Sequence, residues 1–170
     1  MRMIIQCWLC AAVVFVSSSA FGTESQRDTL DLVRHTATFN EFIRGASQLA
    51  ESKSHNRELR TLSETMTRDY SADAKRLRTA ATEAGISPSQ VDRLDEQHAK
   101  WMVQLTGAPE LEFDSLFKRI TLAAHWLTME HIRRYASRGE TPSLKTYALG
   151  TLPILEAHYR SLQDLSFVAK

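Results

Sequence analysis

Two histidines and a tyrosine, His125, His158 and Tyr70, are the side chains of this 170-residue chain whose type and placement invite chemistry. Each falls in the middle portion of a different long segment with helical periodicity, and in an antiparallel bundle such positions come to similar heights. Met66 lies one turn before Tyr70 and Met129 one turn after His125. Soft sulfur beside imidazole would suit a transition metal, copper or zinc, better than magnesium or calcium. Against this, a neutral phenol is a poor ligand at neutral pH, and two imidazoles without a carboxylate make an incomplete metal set. Asp69 and Asp73 are the nearest acids. Asp73, on the apolar stripe one turn from Tyr70, reads as a solvated acid at the edge of that stripe, with a carboxylate ligand or an Arg-paired buried acid as the alternatives. The competing reading of Tyr70, His125 and His158 is three hydrogen-bonded core residues, and the missing carboxylate favours it.

Other chemistries lack a foothold. A di-iron carboxylate centre needs two Glu-x-x-His pairs, because that spacing turns both ligands to one inward face. Here Glu96 and His98, and Glu156 and His158, are two apart and point to different sides of a helix, while Asp95 with His98 is a lone pair. No Gly-rich phosphate loop, Ser-His-Asp ordering or cysteine nucleophile stands in the sequence. His35, His55 and His131 read as surface or rim residues. Arg133, Arg134 and Arg138 suit the C-terminal end of a helix, where the dipole favours cations.

The elements that must position these residues are helices. Phe113–Ser137 forms a spine: Phe113, Leu116, Ile120, Ala124, Leu127 and His131 fall on one side of it, and Leu122, His125, Met129 and Ile132 on the other. A helix apolar on two faces should be packed from both, which makes Leu127 a core leucine. Helix one is expected from Leu30 to about Ser52, capped by Asp28 or Thr29. Helix two runs from about Ser54 to Ala84 and ends at Gly85. Ser87-Pro88 opens a short connector helix through Leu94, His98, Trp101 and Leu105, stopped by Gly107-Ala108-Pro109. Asp114 caps the central helix, Gly139 closes it, and Thr141-Pro142 opens a last helix toward Leu165, with Pro153 as a kink inside it. No strand alternation or repeat appears. The fold class is all-α, an up-and-down bundle of four long helices plus one short connector helix.

Arg2, the apolar run Ile4–Val16 and Ser18-Ser19-Ala20 have the order of a secretory signal peptide, cut after Ala20, with a retained anchor as the alternative. The expected organisation is a signal peptide at 1–20, a short extension at 21–29 and one helical-bundle domain at 30–170. Cys7 and Cys10, the only two cysteines, lie in the segment to be removed, so the remaining chain must be held by its core and not by disulfides. Without Arg2 the 21 basic side chains fall to the number of acidic ones, 20. That balance argues against nucleic-acid binding and against a polybasic membrane contact.

Four fragments in order, the helix-one pattern ending Leu49-Ala50, Met66-Thr67-Arg68-Asp69-Tyr70, Phe113-Asp114 with His125 eleven residues after the acid, and Thr151-Leu152-Pro153 with His158, resemble the domain-of-unknown-function 4142 family. These are exported bacterial proteins often labelled predicted outer membrane proteins. The resemblance implies a ferritin-like topology and brings no established activity. It also marks a departure, since the family usually reads Asp-His where this chain has Asp69-Tyr70. The expectation is an exported, non-enzymatic bundle, periplasmic or in the outer envelope or medium, which acts by binding a protein or envelope component, with no membrane span once the signal is removed. The alternative is a periplasmic copper- or zinc-binding or metal-dependent redox protein using Tyr70, His125 and His158. Partner and oligomeric state stay open.

Overall fold

The computed structural model describes residues 18–87 and 94–167. They form α1 (Ser18–Lys53), α2 (Arg57–Glu83), α3 (Glu96–Gly107), α4 (Glu110–Arg138) and α5 (Pro142–Asp164), an all-α bundle of four long helices and one short one. Around the bundle the order is α1, α2, α5, α4, each long helix packing on its two neighbours, with α3 laid against α1 and α4. Bonds near the helix ends give the directions. Thr29 on α1 meets Tyr135 at the far end of α4, and Ser143 at the start of α5 donates to the Ala80 carbonyl near the end of α2. Neighbours are therefore antiparallel, and α2 and α4 face each other diagonally across the interior.

Local chemistry sets most of the boundaries. Asn56 caps α2 by accepting from the Leu59 N–H at 2.9 Å. At its other end Gly85 takes φ 74°, the left-handed conformation that glycine reaches without strain, and the Ile86 N–H returns to the Ala81 carbonyl at 2.9 Å. Pro142 stands at the first turn of α5, where its missing N–H costs nothing. Gly139 ends α4 beneath Tyr135, where a Cβ would overlap the Tyr135 ring and carbonyl. Two lysines close helix ends by bonding to carbonyls: Lys53 donates to those of Thr106 and Ala108, both at 3.0 Å, at the end of α3, and Lys118 to those of Gln163 and Leu165 at the end of α5.

Several expectations are corrected. Helix one does not begin at Leu30 but is continuous from Ser18, so the expected extension at 21–29 is helical. Thr29 is not its cap: the hydroxyl donates back to the Ser25 carbonyl at 2.8 Å and reaches Tyr135 at 3.0 Å, which fixes it inside the helix. The expected Ser87-Pro88 start of the connector lies partly outside the described residues. α3 as described begins at Glu96, because Asp95 accepts from the His98 N–H at 2.9 Å and caps it. α4 begins at Glu110, four residues ahead of Asp114, which therefore lies within the helix and leaves Oδ1 buried without a partner. Pro153 stands inside a helix assigned without interruption; it lies on the exposed side, where the carbonyl it leaves unbonded can meet water.

The central helix also packs differently. Its buried residues, Phe113, Phe117, Ile120, Thr121, Ala124, His125, Thr128, Met129, Ile132 and Tyr135, make one broad inward stripe and not two opposite faces. Leu127 is 45% exposed, so it is not a core leucine and its truncation opens no buried cavity. The core instead centres on Phe39, Phe42, Tyr70, Phe113, Phe117 and Leu155, contributed by α1, α2, α4 and α5 and each fully buried.

The closed polar interior as candidate functional site

Tyr70 on α2 and His125 on α4 face each other across the bundle, both fully buried. The Tyr70 hydroxyl lies 2.8 Å from His125 Nε2, and His125 Nδ1 lies 2.7 Å from the Thr121 carbonyl oxygen. A carbonyl can only accept, so Nδ1 carries the proton, Nε2 is left with its lone pair, and the phenol donates to it. Phe39 from α1 closes the pair with edge-on contacts, 5.2 Å to the Tyr70 ring and 5.1 Å to that of His125. Burial pushes the His125 pKa down to about 3 against the pull of the Thr121 carbonyl, and burial likewise holds the Tyr70 hydroxyl well above its ordinary value. Both are neutral at pH 7.

His158 completes the trio from α5, its ring centroid 5.2 Å from that of Tyr70 and 6.4 Å from that of His125. The expected convergence of Tyr70, His125 and His158 is therefore present, but Tyr70 is the linking member. His125 is as fully buried as Tyr70. His158 turns Nε2 to Asp69 at 3.2 Å, and burial lowers its pKa against the attraction of that acid. Met66 is fully buried in the core, and the Met129 sulfur lies 4.0 Å from the Arg133 guanidinium, which donates to it weakly.

Asp73 corrects the solvated reading outright, since it is fully buried and is the paired acid of the alternatives. Its Oδ2 accepts from Asn40 Nδ2 on α1 at 2.9 Å and from the Tyr147 hydroxyl on α5. Its Oδ1 accepts from Thr151 Oγ1 on α5 at 2.7 Å and from Arg76 one turn along α2. Four donors on three helices thus surround one carboxylate. Only the position on the apolar stripe and Arg76 three residues on were visible in sequence; the donors on α1 and α5 needed the fold.

A second group went unrecognised. His35 on α1 stacks on His131 of α4, centroids 4.0 Å apart and planes 15° off parallel, and stands edge-on to His98 of α3 at 6.3 Å. His98 is nearly fully buried, its Nδ1 2.8 Å from Asp95, beside Phe42 and Trp101. His98 is thus packed within the protein, while His35 and His131 are both partly buried, as rim residues are. His55 is a surface residue paired with Glu110. Among the described residues no group of three or more His, Cys, Asp or Glu side chains is arranged to hold a metal ion. For the stacked pair the reason is direct: ring-nitrogen lone pairs lie in the ring planes, and two near-parallel planes do not meet at one ion.

An all-α bundle with polar groups bonded to one another across its interior defines the class. The chain belongs to the family described as Domain of unknown function (DUF4142), whose model matches residues 16–165. No curated protein and no solved structure matches it. Among the described residues no helix is long and apolar enough to cross a membrane.

Proposed function

We propose that this is an exported, non-enzymatic bundle that acts by binding a protein or envelope component, its buried polar groups specifying the packing and not performing a reaction. The observation that carries this reading is the saturation of His125: Nδ1 is committed to a backbone carbonyl and Nε2 to Tyr70, both inside a sealed core, so neither nitrogen is available to a ligand or a substrate proton. Tyr70 fits the same role, because its hydroxyl donates to the His125 Nε2 lone pair. Export rests on the Arg2, apolar and Ser-Ser-Ala order at the start of the sequence.

The metal-binding alternative keeps one observation in its favour, the approach of Tyr70, His125 and His158 within 6.4 Å between ring centroids. The two readings separate in cells of the source type. A photoreactive residue is placed in turn at Trp126 and Leu149, 50% and 58% exposed, and at further exposed positions, one helix at a time. The binding reading expects discrete protein or envelope adducts from a subset of positions and metal-free protein on purification. No adduct from any position, with stoichiometric copper or zinc in the purified protein, would overturn it.

A further inference from the structure

We propose that His35, His98 and His131 form an acid-sensitive latch that fastens the N-terminal half of α3 to the α1–α4 side of the bundle at neutral pH and releases it on acidification. The geometry is specific. Three imidazoles from three helices meet, two of them stacked at 4.0 Å, and the third, His98, is one of only two residues of α3 that are buried, with Leu105. The far end of α3 is held separately, by Lys53 on its last carbonyls. The near end is held by His98 packed between Phe42, Trp101 and His35, together with Trp101 on the Phe42 ring at 5.7 Å and Leu94 against the core.

The groups that face the cluster decide its response. From α4, Arg134 donates to His131 Nδ1 at 3.0 Å, so that nitrogen carries no proton, and the stacked arrangement leaves one cation beside another if either ring is charged. Arg138 lies at the same end of α4, and Asp28 and Asp31 on α1 line a small cavity with His131 and both arginines. Thr128 lies 3.1 Å from His35 Nε2. From α3, Asp95 is spoken for by the His98 backbone and ring; burial would raise its pKa, but those bonds outweigh it and hold it low. Asp95 pulls the His35 pKa up and Asp31 that of His131, but neither outweighs burial and the neighbouring cations. Burial first, then the charges of His131 and His98, lowers His35 to about 4, and burial and Arg134 lower His131. A proton refused by the closed cluster is accepted once α3 moves away. The opened state binds more protons, so opening becomes easier as pH falls from about 6.5, the free value, toward about 4.

Hydrogen exchange of α3 peptides, corrected for intrinsic rate, should show protection falling between pH 7 and pH 5 by on the order of tenfold more than that of α2 and α5 peptides. That comparison separates the latch from the general acid sensitivity conferred by His125 and His158. In a Trp8→Phe/Trp126→Phe chain, Trp101 emission should change over the same interval. His35→Gln, which can keep a bond to Thr128 but takes no proton, should abolish both responses, and His131→Gln serves if that variant does not fold. Unchanged α3 protection in the wild-type protein, loss that tracks α2 and α5, or a response that persists in the glutamine variant would each overturn the proposal.

Discussion

Replacing Asp73 by alanine is expected to lower stability by about 3–5 kcal/mol, the cost of removing one member of a buried charged group and leaving the rest. The carboxylate is fully buried, and its removal strands the Tyr147 and Thr151 hydroxyls and the Asn40 amide while freeing Arg76 from its partner. Arg76 is half exposed and can turn to water, so most of the loss comes from the buried neutral donors, each about 1–3 kcal/mol when left unpaired. Asn40 and Tyr147 belong to α1 and α5, so the damage spreads over three helices and should appear as a lower denaturation midpoint with an unchanged slope. Tyr147→Phe, which removes one bond of the four, should cost about 1.5–3 kcal/mol, as loss of a hydrogen bond to a charged group does. A midpoint for Asp73→Ala within error of wild type would show that the carboxylate does not tie α1, α2 and α5 together.

Phe39→Ala should be as severe, about 3–5 kcal/mol, for a different reason. Its ring is fully buried and stands edge-on to both Tyr70 and His125, with interplanar angles of 88° and 89°. Truncation removes packing and opens a cavity beside a buried hydrogen bond, where a water could compete for His125 Nε2. Val103→Ala, at a residue 73% exposed, is the comparison and should shift the midpoint by no more than about 0.5 kcal/mol. Equal shifts for the two would remove Phe39 from the centre of the core.

These two residues show what sequence can and cannot reveal. Turn chemistry is local, so Gly85, Gly139 and Thr141-Pro142 marked helix ends that the structure keeps. Mid-helix position brought Tyr70, His125 and His158 together as expected, while periodicity was less secure on the spine helix. It misread α4, because Leu127 and Trp126 are apolar yet face outward, while Thr121 and Thr128 are polar yet buried with their hydroxyls bonded to Phe117 and His35. Hydropathy cannot tell a satisfied buried threonine from a solvated one. The same limit hid Asp73 and the His35 cluster, whose partners on other helices lie 33 to 96 residues away in sequence. Asp95 shows a further ambiguity, since Ser87-Pro88 and Asp95-Glu96 both look like helix starts, and Asp95 heads the helix described.

The saturation of His125 is the claim on which the functional reading stands, and nitrogen NMR of its imidazole tests it most directly. The predicted result at pH 7 is a neutral ring protonated on Nδ1, with Nε2 shifted as an acceptor from Tyr70, remaining neutral down to about pH 4 as a pKa pushed down to about 3 requires, and unchanged on addition of zinc or copper(I). A ring protonated on Nε2, or a His125 resonance displaced stoichiometrically by either metal, would contradict it.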